Sequence, residues 1–284
     1  MHFEVQLANA TMTPEQDSHD HNHDVTIASL QRRYPQLQWR QYVEGVFREF
    51  GISITLLPDH PLVSVADIFL DNMFPLLRST SSDIIKDYFL WKAALTLIPY
   101  TRGPMNEAKA KFDGHPVHDE AELRAVFCAW DTTFVLPHVV GDMYTRAHTT
   151  ARDRHSVASL TKRVMRAEGQ MIQRADWLSP ETIRRVKAKL AAMGLEVGIP
   201  TVYNDTDRLD REWGQVPVHN DTFLLNYLAL YRRGSELDLR TYRLTRRQVL
   251  WDHSSAEPNA YYLGRQNAII VPSGKSPLIV STTS

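Results

Sequence analysis

The sequence of 284 residues contains one cysteine, Cys128, so no disulfide can form within the chain. It also lacks a long apolar run: the stretch from Phe134 to Val140 is interrupted by Pro137 and His138 and is far too short to cross a bilayer. The beginning of the chain lacks the basic start and apolar core of a secretory signal. The sequence therefore predicts neither a signal peptide nor a membrane span in this chain.

An excess of charge of one sign is also missing. The chain has 32 Lys and Arg against 33 Asp and Glu, which gives a formal net charge of -1. Nucleic-acid binding usually requires a basic excess that neutralises phosphates, so this function class is not indicated. Apolar residues make up 43% and charged residues 23%, which is ordinary for a folded protein. The length allows one large domain or two smaller ones.

The common catalytic motifs are absent as well. None of the 12 histidines belongs to an H-E-x-x-H pair, which would place two zinc ligands one helical turn apart beside a catalytic glutamate. No G-x-S-x-G elbow or phosphate-binding glycine loop is present. His19, His21 and His23 alternate in a polar segment that could hold a metal loosely, although a solvated loop is the simpler interpretation. Cys128 lies on an apolar helical face, which favours a buried, inert thiol over a nucleophile.

Helical periodicity dominates most of the chain, with several marked boundaries. The clearest is Ser179-Pro180-Glu181, because serine caps helices, proline suits the first helical position and an acidic residue suits the positive helix end. Pro137 is expected to divide another helical region. Gly194 and Gly234 are expected to end the helices that precede them.

Apolar side chains recur at helical spacing and predict the buried faces of these helices. On this pattern the aromatic side chains belong to the core. The faces expected to be buried are Trp39, Tyr42, Val43, Val46, Phe47 and Phe50; Ile84, Ile85, Tyr88, Trp91, Leu95 and Ile98; and Phe223, Leu224, Tyr227, Leu228 and Tyr231.

The period changes near the end of the chain. Tyr261-Tyr262 and Ala268-Ile269-Ile270-Val271 are typical of a β-hairpin or two adjacent strands, and Pro272 closes the second. The predicted fold class is therefore mainly α: a large multi-helix body followed by a short β-strand pair.

Asn259 and Ala260 stand immediately before the first of these strands and are the candidate binding residues. An asparagine side chain offers both donors and an acceptor, and it could hold a peptide backbone at an exposed strand edge while Ala260 offers its main-chain groups. The alternative is a structural role, because asparagine commonly begins turns.

Three N-glycosylation sequons suit a secreted surface, namely those at Asn9, Asn204 and Asn220. Sequons are short and common, and a single cysteine suits a reducing compartment equally well. Composition alone therefore leaves the compartment open.

The strand region resembles a known family. Asn259-Ala260-Tyr261-Tyr262, followed by Asn267 and Ile269-Ile270-Val271-Pro272, resembles the substrate-binding strand of the neprilysin family, which includes neprilysin and the endothelin-converting enzymes. In that family an Asn-Ala pair on an edge strand binds the peptide substrate, and the pair matches Asn259 and Ala260. Other segments resemble the family in the same order over nearly the whole chain: Phe3-Glu4 with Leu7-Ala8, Tyr34-Pro35-Gln36-Leu37-Gln38-Trp39, Asp87-Tyr88 with Leu90-Trp91, Trp177-Leu178-Ser179-Pro180-Glu181-Thr182, and Gly198-Ile199-Pro200.

The resemblance implies a helical lid domain over residues 1–245 and the start of a zincin-like catalytic domain over residues 246–284. The family's zinc helix lies a few dozen residues beyond the Asn-Ala strand, so no zinc ligand or catalytic glutamate is expected in this chain. Ser273-Gly274-Lys275-Ser276 also departs from the family's apolar stretch at this place. Zinc, a peptide substrate and the rest of the catalytic domain are expected for the full-length protein, at an extracellular or cell-surface location.

Two function classes remain open. In the first, the chain is part of a zinc metalloendopeptidase and is inactive by itself. In the second, the short form is genuine and is a non-catalytic helical module that binds a peptide or a protein.

Overall fold

The computed structural model describes residues 2–11, 23–64, 67–101, 103–114, 120–203, 206–243, 251, 253–264 and 266–275. The described chain is mainly α-helical, as the sequence predicts. It divides into two compact units, Met1–Val117 and His118–Ser284. The boundary predicted between residues 245 and 246 lies outside the described residues and stays a prediction.

The first unit packs its helices around a small aromatic core. Leu30, Tyr34 and Phe74 are buried together, and Leu62 and Met73 pack against them. Strand β1 pairs antiparallel with β2, so part of the segment predicted as a polar loop is a strand. The elements are α1 (His2–Asn9), β1 (His23–Thr26), α2 (Ile27–Arg33), α3 (Trp39–Glu49), β2 (Pro61–Ser64), α4 (Asp67–Ser79), α5 (Ser82–Leu97) and α6 (Pro104–Phe112).

The second unit consists of longer helices and a three-stranded sheet. Its elements are α7 (Glu120–Val135), α8 (Pro137–His148), α9 (Ala151–Gln173), α10 (Pro180–Ala191), β3 (Gly194–Gly198), α11 (Thr206–Trp213), α12 (Phe223–Arg240), β4 (Tyr261–Leu263) and β5 (Ala268–Pro272). Short 3-10 turns follow three of them, at Thr201–Tyr203, Thr241–Arg243 and Ser273–Lys275.

The sheet has the order β3-β5-β4. The predicted hairpin is confirmed, because β4 and β5 pair antiparallel with Tyr261 opposite Ile270. Strand β3 pairs parallel with β5, from Gly194 opposite Ala268 to Gly198 opposite Pro272. Central strand β5 is largely buried, whereas β4 forms an edge of this sheet.

The helix boundaries follow local chemistry at most of the predicted places. The hydroxyl of Ser179 accepts from the backbone N–H of Thr182 at 3.1 Å, and Pro180 is the first residue of α10, as expected. Pro137 is the first residue of α8 and separates it from α7. Gly194 does not simply end a helix, because it also begins β3.

The predicted end at Gly234 is wrong, since α12 continues to Arg240. Glycine inside a helix costs only about 1 kcal/mol relative to alanine, so other interactions easily outweigh it. Glu236 forms ion pairs with Arg233 and Arg240, both at 2.7 Å, and these pairs span the turns that follow the glycine.

Several faces that were expected to be buried are only partly buried, although Ile98 is buried as predicted. Helix α5 has no buried residue, and Trp91 on its predicted core face is 50% exposed. Tyr42 on α3 and Leu228 and Tyr231 on α12 are exposed as well, while Phe47 is buried as predicted. Periodicity identifies the apolar face of a helix but not the element that covers it, and no described element covers these faces fully.

Candidate functional site

Asn259 and Ala260 lie directly before edge strand β4, and both residues are exposed. The side-chain oxygen of Asn259 accepts a hydrogen bond from the backbone N–H of Ala260 at 2.9 Å. This local bond is of the kind that the turn interpretation predicts. Exposure beside a strand edge is what the peptide-binding hypothesis requires. The two roles are compatible, because a side chain held by its own backbone is already oriented.

A cluster of three side chains closes the segment that contains this pair. The ring of His253 stacks on the ring of Tyr261, with centroids 4.1 Å apart and an interplanar angle of 5°. The Tyr261 hydroxyl donates to the carboxylate of Glu257. Nδ1 of His253 lies 3.9 Å from Oε2 of Glu257, which gives an ion pair when the imidazole is protonated. Residues 253 and 261 are thereby joined, and the exposed pair lies between them.

Three buried serines lie in or against the segment that contains Asn259 and Ala260. Ser254 and Ser255 are each 1% exposed and Ser273 is fully buried. The backbone N–H of Gly274 donates to the carbonyl oxygen of Ser255 at 2.9 Å. A Cβ on residue 274 would lie 2.2 Å from the carbonyl oxygen of Ala256, so only glycine fits here. The main chain of the turn after β5 therefore packs directly against the main chain of the segment that leads to Asn259.

Helix α8 approaches the same serines from another direction. A Cβ on Gly141 would lie 2.7 Å from the backbone nitrogen of Ser255. One turn further along the helix, the hydroxyls of Thr145 and Ser273 are hydrogen-bonded at 2.7 Å. The segment that leads to Asn259 and the turn after β5 thus both pack against α8.

The hairpin turn is fixed to α10 through Asn267. This residue has φ of 50°, the left-handed region in which asparagine is one of the better-tolerated residues. Its side-chain amide donates to the carbonyl oxygen of Lys189 at 2.9 Å, and its oxygen accepts from the Tyr262 hydroxyl at 3.1 Å. The resemblance included Asn267 without a role, and the structure gives it a structural one.

The pKa of the buried Tyr203 hydroxyl in the second unit is clearly displaced. Burial first, and then its hydrogen bond to Glu212 at 2.6 Å, raise the pKa of Tyr203. The hydroxyl therefore stays protonated across the physiological range. It acts as a structural donor in the core that Tyr203 forms with Ile199 and Leu209.

The other candidate residues are not brought to this site. Cys128 is half-buried on α7, where full burial was expected. His19, His21 and Asn204 lie outside the described residues, and His23 belongs to β1 in the first unit. Among the residues that the structure describes, no group of three or more His, Cys, Asp or Glu side chains could hold a metal ion.

Asn9 and Asn220 are both exposed, Asn9 at the end of α1 and Asn220 in a turn before α12. Of the helices that the structure describes, none is both long enough and apolar enough to cross a bilayer.

Comparison with known proteins links this geometry to one family. The model of Peptidase family M13 matches residues 1–200. Among curated proteins, human endothelin-converting enzyme-like 1 is 25% identical over 283 residues, covering 96% of this chain and 35% of the relative. Rat endothelin-converting enzyme 1 is 24% identical over 278 residues, covering 96% of this chain and 36% of the relative. The chain thus spans little more than a third of these proteins.

Solved structures show the same fold. The inhibitor complex of the Mycobacterium tuberculosis zinc metalloprotease ZMP1 matches with a TM-score of 0.77 and 20% identity, covering 97% of this chain and 40% of that one. PEPO from Lactobacillus rhamnosis matches with a TM-score of 0.69 and 18% identity, covering 96% of this chain and 42% of that one.

Proposed function

The chain belongs to peptidase family M13, in its N-terminal portion, and from this premise we propose that it supplies the helical lid and the substrate-binding edge strand of a zinc metalloendopeptidase. Members of this family are zinc metallopeptidases, and the curated relatives include endothelin-converting enzyme 1. Asn259 and Ala260 bind the main chain of an extended peptide, and cleavage belongs to the whole protein of which this chain is a part.

The exposed pair at the beginning of an edge strand carries the proposal. Strand β4 pairs with β5 on one side, and an extended peptide that joins the other side gains main-chain hydrogen bonds. The side-chain oxygen of Asn259 accepts a hydrogen bond from the N–H of Ala260 at 2.9 Å. The side-chain nitrogen of Asn259 donates to no described residue. That nitrogen is therefore available to donate to a carbonyl oxygen of the bound peptide.

The zinc is assigned to another part of the protein. The sequence has no H-E-x-x-H pair and the described residues offer no cluster of metal ligands, so they do not fit a zinc ion. In enzymes of this class the metal supplies an activated water. The residues described above position the substrate and take no part in that chemistry. We expect the chain alone to bind zinc weakly and to cleave no peptide.

The rest of the catalytic domain is the expected partner of the second unit. Val126, Trp130 and Phe134 form a stripe along α7, and each is at least 59% exposed. The rings of Trp130 and Phe134 stack on each other at 5.7 Å. A stripe of this kind marks an interaction surface. The same stripe favours the second function class, a genuine short protein-binding module.

An extracellular or cell-surface location accompanies the proposal. Exposure of Asn9 and Asn220 would let both sequons accept a glycan in the secretory pathway. Expression with a secretion signal, followed by enzymatic deglycosylation and mass measurement, tests this. A secreted chain that carries no glycan at either position would contradict it.

Peptide binding is tested directly on the 284-residue chain. The probe is a fluorescein-labelled peptide of alternating apolar residues, and the readout is fluorescence anisotropy. We expect Asn259→Ala to weaken binding about five- to tenfold, since one to two peptide hydrogen bonds are lost. Asn220→Ala, which removes an equally exposed amide elsewhere in the unit, is the control. A peptide N-methylated at alternate residues loses the donors that strand addition needs, so it should not bind. Equal binding of the methylated peptide would contradict the proposed mode.

The two function classes are separated by sequencing the native transcript through and beyond the codon for Ser284. An H-E-x-x-H helix encoded in frame supports the peptidase. A stop codon in the mature transcript supports the short binding module.

A further inference from the structure

A cleft of about 690 Å³ opens in the second unit, and neither Asn259 nor Ala260 lines it. It lies where the end of α8, the beginning of α9 and the segment after β3 meet. Arg146, Arg154 and His155 line it together with one acidic residue, Asp142, and with apolar side chains that include Val197 and Ile199. The cleft therefore combines an apolar wall with a basic rim.

The side chain of Arg154 is held in place by Gly198. Residue 198 has φ of +93°, which favours glycine, and a Cβ there would lie 2.7 Å from Cδ and 3.3 Å from Cγ of Arg154. The methylene stem of Arg154 thus passes directly over the glycine at the end of β3. A stem fixed by packing orients the guanidinium before any ligand arrives, which lowers the entropy cost of binding.

The charges of the cleft are not balanced. Asp142 pairs with Arg146 at 2.8 Å. Asp153, which is next to Arg154 in the chain, is bound instead by the hydroxyl and the backbone N–H of Thr150. No carboxylate of a described residue pairs with Arg154. The lining residues therefore include two arginines and one carboxylate, an excess of one positive charge.

A hydroxyl without a partner lies in the same cleft. Oγ1 of Thr149 is buried and has no hydrogen-bond partner among the described residues. A buried hydroxyl that lacks a partner is costly, and a ligand oxygen would satisfy it.

We propose that this cleft binds a small organic anion, with a phosphate or carboxylate group beside Arg154 and Thr149 and an apolar body against Val197 and Ile199. Arginine suits this role because its planar guanidinium donates two parallel hydrogen bonds to such a group. Neither Asn259 nor Ala260 lines this cleft, so the proposal does not require that they bind substrate.

In the experiment, phenyl phosphate is titrated into the 284-residue chain, and binding is measured by calorimetry and by phosphorus NMR. We expect saturable binding to one site. Inorganic phosphate lacks the apolar body and phenol lacks the charge, so each should bind at least tenfold more weakly. Benzoate distinguishes the two anions: tighter binding of benzoate identifies a carboxylate site, and tighter binding of phenyl phosphate identifies a phosphate site.

Arg154→Gln is expected to weaken binding at least tenfold. Arg163→Gln is the matched control, because it removes the same charge from an exposed position on the same helix and should leave binding unchanged. Thr149→Val is a second, milder variant that keeps Arg154 and should weaken binding several-fold. Melting temperatures measured without ligand show whether each variant is folded. If Arg154→Gln does not fold, the proposal is tested by comparing Thr149→Val with Arg163→Gln: only the first of these should weaken binding.

Three results would overturn the proposal. The first is that neither phenyl phosphate nor benzoate binds at millimolar concentration. The second is that Arg163→Gln weakens binding as much as Arg154→Gln or Thr149→Val, which would indicate attraction to overall charge. The third is that folded Arg154→Gln and Thr149→Val variants bind as the unmodified chain does.

Discussion

The hydroxyls of Thr145 and Ser273 are hydrogen-bonded at 2.7 Å, although 128 residues separate them in the sequence. Both residues are buried, with exposures of 4% and 0%. The bond joins the last turns of α8 to the turn after β5. The Thr145 hydroxyl also lies 2.7 Å from the carbonyl oxygen of Gly141, so the pair is tied into the helix backbone. The position of the turn after β5 against α8 therefore depends on a contact between two hydroxyls.

Removing either hydroxyl should destabilise the protein. Thr145→Val and Ser273→Ala each leave the other hydroxyl buried without this partner, which costs about 1–3 kcal/mol. Urea unfolding followed by circular dichroism measures the loss. The double variant should lose less than the sum, because the second change removes a group that was already unpaired. Strictly additive losses would show that the two hydroxyls do not depend on each other.

Gly274→Ala should disturb the segment that leads to Asn259. Its Cβ would lie 2.2 Å from the carbonyl oxygen of Ala256, and main-chain atoms cannot rotate away as a side chain does. Overpacking of this kind costs about 1–3 kcal/mol, and peptide binding at the edge should weaken as well. The control is Gly264→Ala, where the nearest atom to a new Cβ would be a Tyr262 ring carbon at 3.8 Å. Stability is measured by urea unfolding and peptide binding by anisotropy, on both variants. Equal losses of stability and of peptide binding in Gly274→Ala and Gly264→Ala would contradict the prediction.

Gly198→Ala tests the packing of Arg154. Two costs are expected: the unfavourable positive φ, about 1–2 kcal/mol, and the clash with Cδ of Arg154 at 2.7 Å. Adding Arg154→Ala removes the clash but not the backbone strain. The double variant should therefore be more stable than the sum of the single changes predicts, as measured by urea unfolding. If Gly198→Ala costs as much stability with Arg154→Ala as without it, the methylene stem of Arg154 does not pack against residue 198.

The sequence was sufficient for features that depend on neighbouring residues. The cap at Ser179, the break at Pro137 and the hairpin ending at Pro272 are all confirmed. Strand β3 was missed because its partner β5 lies far along the chain and its own five residues follow a helix directly. Short strands of this kind acquire their conformation from tertiary pairing.

The candidate site shows the same division. Asn259 and Ala260 could be named in advance because their motif is contiguous, and their role in binding stays a prediction. The contacts that support them could not be predicted, since Thr145 and Ser273 meet only through the fold. The cleft around Arg154 had no signal in the sequence, because a single arginine on a long helix is ordinary until Gly198 is placed beneath it.

Tyr34 should make the stability of the first unit depend on alkaline pH. Burial first, and then the hydrogen bond to Asp71 at 3.0 Å, raise the pKa of Tyr34 to about 12 from an ordinary value of 10.0. The unfolded chain therefore loses this proton at lower pH than the folded chain does. The stabilisation is complete below pH 10 and is lost as the pH rises towards 12.

Tyr34→Phe removes this contribution and should cost about 1.5–3 kcal/mol at pH 8, the value of a hydrogen bond to a charged group. Urea unfolding at intervals between pH 8 and pH 11.5 measures the difference between the two proteins. That difference should shrink above pH 10, because only the protein with Tyr34 loses a stabilising proton. Tyr42→Phe, in which the changed residue is 55% exposed, should alter stability little at pH 8 and serves as the control. A difference for Tyr34→Phe that stays constant to pH 11.5 would mean that the proton on Tyr34 does not stabilise the fold.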